Sequence, residues 1–466
     1  MKKLLVILFA LGLVFAFSAP VMATDIDVSG SYYIRGWYDS NSALNKNNTS
    51  NALYQQRLRV KSVFTVVEGL KLTVRGDALE QTWGSSAPAM QDMGGTGYSN
   101  DMPQGNVKVE MTKLDFVTKI GLFSAGYWDT NSWGLTFGNN TWKVGRIQWT
   151  VPIGNFYVIA GLEKDYEGDS KDGRTSNYAY PFPAPPFPPN MVQGGEYSDT
   201  DNDAYILAAI YKGEQVEAGL LWKHVRNAAY RPACSYPIGY PYNSPAYGFS
   251  LTQEVDAISP YFKATFDPVY VEGQLYWADG TVSYEDAYSS VPDTNVEGLS
   301  WYLMGKSSFG IGHIGALVAY SQGDDPNTTD MEGTAVNGGW DWNPCLILWN
   351  DDFNYKANGY LGHVNGAYTD GQMSNAFIYQ IFAGADIDKL SLKTSISYAK
   401  ADEVVPGVDD EYGTEFDVTA NYKFYDNLDY MVGFGYFVAG DYYKGGVAAN
   451  EISNTYLLVH KLTLSF

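Results

Sequence analysis

The chain has 466 residues, of which 45% are hydrophobic and 18% charged, and its formal net charge is -22. This acidic balance argues against a nucleic-acid-binding protein, which needs clustered Lys and Arg. Two cysteines exclude a disulfide-dense scaffold and a cysteine-rich metal or haem array, so we expect neither a metal nor a cofactor.

The N-terminus is typical of a bacterial secretory signal. Two lysines precede a long apolar run, and a small-residue cleavage site ends at Ala23. The expected domains are therefore a signal peptide, residues 1–23, and one mature domain, residues 24–466. No later apolar run approaches the roughly 18 residues of a membrane helix.

The mature chain alternates apolar and polar residues with a period of two. The alternation runs strictly over residues 26–39 and recurs over 55–66 and 71–78. The first run is longer than an average soluble strand and matches the roughly 9–11 residues of a tilted strand across a bilayer.

Short and long connections also alternate along the chain. Eight tight turns lie at residues 68–69, 118–121, 151–154, 212–215, 267–268, 310–312, 386–388 and 426–427. Nine longer polar loops lie at about residues 40–52, 84–106, 128–140, 164–203, 225–255, 278–298, 322–375, 401–413 and 441–453.

This rhythm predicts an all-β fold: a transmembrane, antiparallel, up-and-down β-barrel with short periplasmic turns and long extracellular loops. Eight turns and nine loops join 18 strands. Sixteen strands is the alternative, because residues 204–211 and 312–321 alternate weakly.

The last strand ends on an aromatic residue. Phe466 closes an alternating segment, and this arrangement resembles the C-terminal signal that the barrel-assembly machinery reads in outer-membrane proteins. We therefore expect Phe466 to act as an assembly signal, with that machinery as a partner.

The second and third predicted strands resemble a Gram-negative porin family. The residues that carry the resemblance are Arg-Leu-Arg-Val at 57–60, Glu-Gly-Leu-Lys at 68–71, Arg-Gly-Asp at 75–77 and Trp-Gly at 83–84. The resemblance implies a passive channel, often a homotrimer, in the outer membrane among lipid and lipopolysaccharide. One departure is the third loop, 128–140, which is short and carries only Asp129 as an acid. In general porins this loop is longer and folds inward, so the constriction is expected from another loop.

Basic side chains are predicted to line one wall of the lumen. The candidate pore-lining residues are Arg35, Arg57, Arg59, Lys61, Lys71, Arg75, Lys113 and Arg146. Two interpretations stay open together. The wall attracts anionic groups, or its arginines pair with acidic loop residues and hold a loop inside the barrel.

The seventh loop, 322–375, is the longest connection and contains Trp340, Trp342 and Trp349. Loops of this length are usually functional or disordered, and the tryptophans argue against disorder. We expect this loop to form the main constriction or lid, with Asp129 as a further candidate.

The two cysteines lie in the fifth and seventh loops, both expected to face the oxidising exterior. Cys234 and Cys345 are therefore candidates for a disulfide.

Taken together, these patterns predict a passive outer-membrane channel for ions and small hydrophilic solutes. The alternatives are a substrate-specific channel for sugars or organic acids, and a non-conducting surface or adhesion barrel. The four histidines are scattered and form no catalytic spacing, so no enzymatic role is expected.

Overall fold

A computed structural model describes residues 25–41, 44, 50–83, 107–167, 201–229, 251–284, 292–333, 337–350, 352 and 371–466. The expected signal peptide, residues 353–370 of the seventh loop, and Cys234 lie outside these residues. Among the described residues, no helix has the length and hydropathy needed to cross a membrane.

Eighteen strands make up the described fold. They are β1 (Asp25–Asp39), β2 (Asn51–Val67), β3 (Leu70–Thr82), β4 (Val107–Thr118), β5 (Gly121–Asp129), β6 (Lys143–Ile153), β7 (Phe156–Tyr166), β8 (Asn202–Lys212), β9 (Val216–Asn227), β10 (Leu251–Phe266), β11 (Val269–Tyr284), β12 (Thr294–Phe309), β13 (Gly312–Ser321), β14 (Ala376–Ile387), β15 (Leu390–Lys400), β16 (Glu411–Tyr425), β17 (Leu428–Ala439) and β18 (Thr455–Ser465). A 3-10 helix, Asp441–Lys444, lies between the last two strands.

The sheet closes on itself. Each strand pairs antiparallel with the next in sequence, and β1 also pairs with β18. The seam is completed by Phe466, whose carbonyl accepts from Gly30 N at 2.7 Å and whose N–H donates to Gly30 O at 3.0 Å. The predicted antiparallel up-and-down barrel of 18 strands is thus confirmed, and the 16-strand alternative is wrong.

Two of the eight short turns are shifted from their expected positions. The turn expected at 151–154 lies between Ile153 and Phe156, and the one expected at 386–388 lies between Ile387 and Leu390. In both cases the preceding strand, β6 or β14, continues into the first residues of the predicted turn. Shifts of this size are usual at element ends.

The pleat separates two chemically different surfaces. On β1, Tyr33, Arg35 and Trp37 are at most 6% exposed and point inward, whereas alternate residues point outward. Large apolar side chains remain exposed on the outer face of strands all around the barrel, for example Leu207, Ile381 and Leu458. Inside, a hydrophobic cluster forms where the third and seventh loops pack against the wall.

Candidate functional site in the barrel lumen

The register of β1 to β4 brings the predicted basic residues onto one inner wall. Arg57 lies opposite Tyr33, and Lys61 lies opposite Arg75. Lys113 is on β4 of the same wall. Since side chains alternate between faces, the strict spacing of these residues in sequence is what aligns them here.

Most of this wall is ion-paired. Its shortest pair joins Arg59 to Asp77 through two bonds of 2.7 and 2.6 Å. Further pairs within the strands are Arg57–Glu80 at 3.5 Å, Lys113–Asp115 at 3.0 Å and Arg146–Glu163 at 3.2 Å. Within the described ranges, Lys61 and Lys71 have no carboxylate within ion-pair distance and are exposed. The wall is therefore a lattice of both signs, with basic side chains in excess at Lys61 and Lys71.

The third loop enters the lumen, contrary to the expectation from its length. It spans residues 130–142, since Asp129 still belongs to β5. Leu135 N donates to Gln274 Oε1 at 2.9 Å, and Gln274 Nε2 donates to Trp133 O at 2.9 Å. The Trp133 indole reaches Ser259 O at 2.9 Å. A short loop thus crosses from β5 to β10 and β11, because a few polar side chains on the far wall capture its backbone.

The seventh loop joins the third loop in the lumen. Gly138 N donates to Gly338 O at 2.8 Å, and Trp340 N donates to Asn139 O at 2.9 Å. Beneath this junction, Phe137 packs on Trp342 with ring centroids 5.1 Å apart. The two loops therefore form one body, which we call the loop plug: residues 130–142 and 337–350.

The predicted tryptophans lie inside this plug. Trp342 is 5% exposed and Trp349 is 2% exposed, and both belong to the hydrophobic cluster under the loops. Trp340 is half-buried beside Asn139. Trp342 and Trp349 thus pack inside the barrel, and the role of the seventh loop as constriction or lid stays a prediction.

A single buried carboxylate anchors the tip of the seventh loop. Glu415 on β16 is fully buried. Its Oε1 accepts from the backbone N–H groups of Leu346 at 3.0 Å and Ile347 at 2.7 Å, and its Oε2 accepts from Leu348 at 2.8 Å. Three successive N–H groups form a concave site for an anion, which the strand supplies as a side chain.

Cys345 lies beside this anchor and not on the exterior. Its free thiol is 3% exposed and donates to Ser397 Oγ at 3.3 Å. Burial raises the pKa of the Cys345 thiol well above its ordinary value. Cys345 is therefore buried and not exposed on the exterior. Cys234 lies outside the described residues, so the disulfide stays a prediction.

Cys345, Glu415 and Asp417 also bring potential metal-ligating atoms within 4.8 Å of one another. The oxygens of Glu415 already accept three backbone bonds. These contacts account for the position of this carboxylate without an ion.

Acidic residues of the loops face the basic wall. Asp352 bridges Arg35 at 3.2 Å and Lys461 at 3.1 Å, and Asp129 bridges Arg75 at 3.1 Å and Lys143 at 2.8 Å. Burial alone would raise the pKa of Asp352, but its cationic neighbours, Lys461 first, lower it below 3.8.

Asp341, in the seventh loop, is a further acidic residue near this wall, and its side chain is exposed. Partial desolvation, together with the negative charges of Asp129 and Asp352, raises its pKa above 3.8. Asp341 therefore places an exposed carboxylate on the loop plug, whereas Asp129 and Asp352 are ion-paired directly to the basic wall.

Sequence reasoning found the wall and Asp129 but missed Asp341, Glu415 and Gln274. Asp341 lies between two tryptophans that had been singled out, and Glu415 lies on the inward-facing parity of its strand. Parity alone could have placed Glu415 in the lumen. No local pattern could have shown which loop its carboxylate holds.

No protein-family model matches the sequence, and no curated protein matches it. Similar solved structures include OccK9 (OpdG) of Pseudomonas aeruginosa, at 12% identity and a TM-score of 0.49, covering 94% of this chain and 99% of that one. OccK5 (OpdH) of the same organism is 14% identical with a TM-score of 0.47, covering 94% and 98%. A BenF-like porin from Pseudomonas fluorescens Pf-5 is 11% identical with a TM-score of 0.46, covering 94% and 99%.

Proposed function

We propose that this chain is an outer-membrane porin of a Gram-negative bacterium, a passive channel for ions and small hydrophilic solutes. The observation that carries the proposal is the inversion of polarity across a closed barrel. Exposed apolar side chains surround the outside, with Leu207 at 53%, Ile381 at 59% and Leu458 at 48% exposure, whereas the inner wall is charged. Soluble proteins rarely expose so continuous an apolar surface, and closure leaves no unpaired edge in hydrocarbon.

The proposed path for solutes runs between the wall of β1 to β6 and the loop plug. The ion-paired wall, which includes Arg75 and Asp129, borders one side, and the exposed carboxylate of Asp341 on the plug borders the other. Opposite charges across a narrow passage create a transverse field, which orients dipolar solutes and slows apolar ones.

A second candidate is a channel specific for organic acids. It is favoured by Lys61 and Lys71, whose ammonium groups are exposed in the lumen and carry no ion pair among the described residues. Such groups bind a carboxylate without first breaking an internal pair.

The proposal includes an assembly route and surroundings. Export by the N-terminal signal, insertion by the barrel-assembly machinery through Phe466, contact with lipopolysaccharide and a homotrimeric state are parts of it. The exposed apolar side chains of the outer face supply area for lipid and for subunit contacts alike.

Liposome swelling tests the proposal directly. Vesicles that contain the refolded protein should admit neutral sugars at rates that fall as the sugar becomes larger. The organic-acid candidate predicts in addition that small carboxylates enter faster than neutral sugars of equal size. Vesicles that contain folded, heat-modifiable barrel and still exclude the smallest sugars would favour a non-conducting surface barrel instead.

A further inference from the structure

A second compartment lies behind the third loop. This loop runs as a chord from β5 to β10 and β11, so it separates the arc β6–β11 from the basic wall. In that arc a cavity of about 360 Å³ remains between the loop and the strands. Pockets of roughly this size or larger hold small organic ligands.

The floor of the cavity is apolar, unlike the lumen surface that water-filled barrels usually have. It is formed by inward-facing side chains of β8 to β11, namely Ala204, Leu221, Val225, Val255, Ala257 and Ala278. Over β12 to β18 the inward apolar side chains are covered by the loop plug. Here Leu221, Val225, Val255 and Ala257 stay partly exposed, whereas Ala204 and Ala278 are buried beneath them. An apolar solute body would gain by covering the four partly exposed side chains.

The polar rim selects against anions. Lys223 is fully engaged, since its Nζ contacts Glu163 at 2.6 Å, Asn131 at 2.7 Å and Thr130 at 3.2 Å. Asp165, at the mouth, accepts from the Asn202 amide at 2.9 Å and from the indole N–H of Trp142. Among the residues described, it has no cation within ion-pair distance.

We infer that this cavity binds small amines with an aromatic or branched apolar body, and that it is a solute site separate from the basic passage. The inference rests on the proposed channel function, because the solute reaches the cavity through the lumen. The apolar body covers the alanine and valine floor, and the ammonium group lies at Asp165. Trp133 and Trp142 flank the space and supply faces to which a cation or a ring is attracted.

Calorimetry on the whole refolded protein tests the inference with three probes: 2-phenylethylamine, phenylacetate and ethanolamine. 2-Phenylethylamine should bind. Phenylacetate, which lacks the positive charge, and ethanolamine, which lacks the apolar body, should each bind at least about tenfold more weakly. Equal binding of phenylacetate and 2-phenylethylamine would overturn the assignment of the rim.

Two substitutions locate the binding site. Ala257→Trp fills the cavity and should weaken 2-phenylethylamine binding by about tenfold or more. Ala209→Trp places the same side chain on the outer face of β8, where Ala209 is exposed, and should leave binding unchanged. Asp165→Asn should weaken the amine and not a neutral analogue, benzyl alcohol.

Unchanged amine binding in Ala257→Trp, with the barrel folded by gel shift, would refute the site. Calorimetry does not depend on conduction, so a protein that binds the amine but passes no current would contradict the channel proposal alone.

Discussion

Removing the carboxylate of Glu415 should release the tip of the seventh loop into the lumen. Three backbone N–H groups donate to it at 2.7–3.0 Å, and a hydrogen bond of this kind contributes about 0.5–1.5 kcal/mol net. The three bonds together therefore stabilise the seated loop by roughly 3 kcal/mol. Because each 1.4 kcal/mol is about a factor of ten in an equilibrium, Glu415→Ala should raise the population of the released loop tip by roughly a hundredfold.

Single-channel recording should report this as a larger and noisier open current than in the wild type. Glu415→Gln keeps one oxygen acceptor but places an amide donor near Leu348, so its noise should be intermediate. Glu411→Ala is the matched control, because Glu411 is an exposed carboxylate on the same strand. A quiet current of wild-type size in Glu415→Ala, with heat-modifiable migration retained, would show that this carboxylate does not hold the loop in place.

Three further outcomes are expected. In a Cys234→Ala variant, Cys345 should resist a thiol reagent until the barrel is unfolded, since it is 3% exposed with a raised pKa; labelling of the folded protein would contradict its burial. As pH falls, Asp341, whose pKa is raised, should protonate before Asp352, whose pKa is lowered. Because the pKa of Asp352 is lowered in the folded protein, its ion pairs with Arg35 and Lys461 are complete above pH 3.8 and are lost only as the pH falls through the folded pKa. Ion preference should therefore change at a higher pH than the one at which current noise appears. The reverse order would contradict the predicted order of protonation. Deleting Phe466 removes two backbone bonds of 2.7 and 3.0 Å at the barrel seam and should lower the yield of folded barrel in a refolding gel, whereas an unchanged yield would show that the seam closes without it.

The strand count followed from sequence because turn signals bound the strands, although two of the strands alternate weakly. The two weak segments have physical explanations. On β13, Ala319 is fully buried and Leu317 packs against the inner cluster, so its inward face is apolar like its outward face. On β8, Ala204, Ile206 and Ala208 point inward and are 4–8% exposed. An apolar residue on both faces removes the period-two signal without removing the strand.

The interior was less predictable, since it depends on contacts between distant segments. The length of the third loop gave the wrong expectation: the position of the loop is decided by Gln274 and Ser259, which lie more than a hundred residues later in the chain. Cys345 was expected outside because its loop begins outside. Its burial follows from the anchor at Glu415, whose partners are backbone groups that leave no trace in sequence.

The basic wall was found by parity, but its charge was overestimated. Asp77 follows Arg75 at the same inward parity and pairs with Arg59, so the acid partners were present in the same strands. Whether the wall attracts anionic solutes or mainly pairs with acidic residues of the protein therefore depends on which of its cations stay unpaired.

The central claim is that solutes pass between this wall and the loop plug. Reversal potentials in planar bilayers under a salt gradient test it most directly, with the wild type compared with a variant in which Arg57, Arg59 and Arg75 are all replaced by Gln. The account predicts discrete conductance steps in both proteins and a shift of the variant toward cations at low salt, because Asp77 loses its partner Arg59 and Asp129 keeps only Lys143, and salt screens the remaining charges little. An unchanged reversal potential, with the barrel folded by gel shift, would show that these side chains do not border the conducting path.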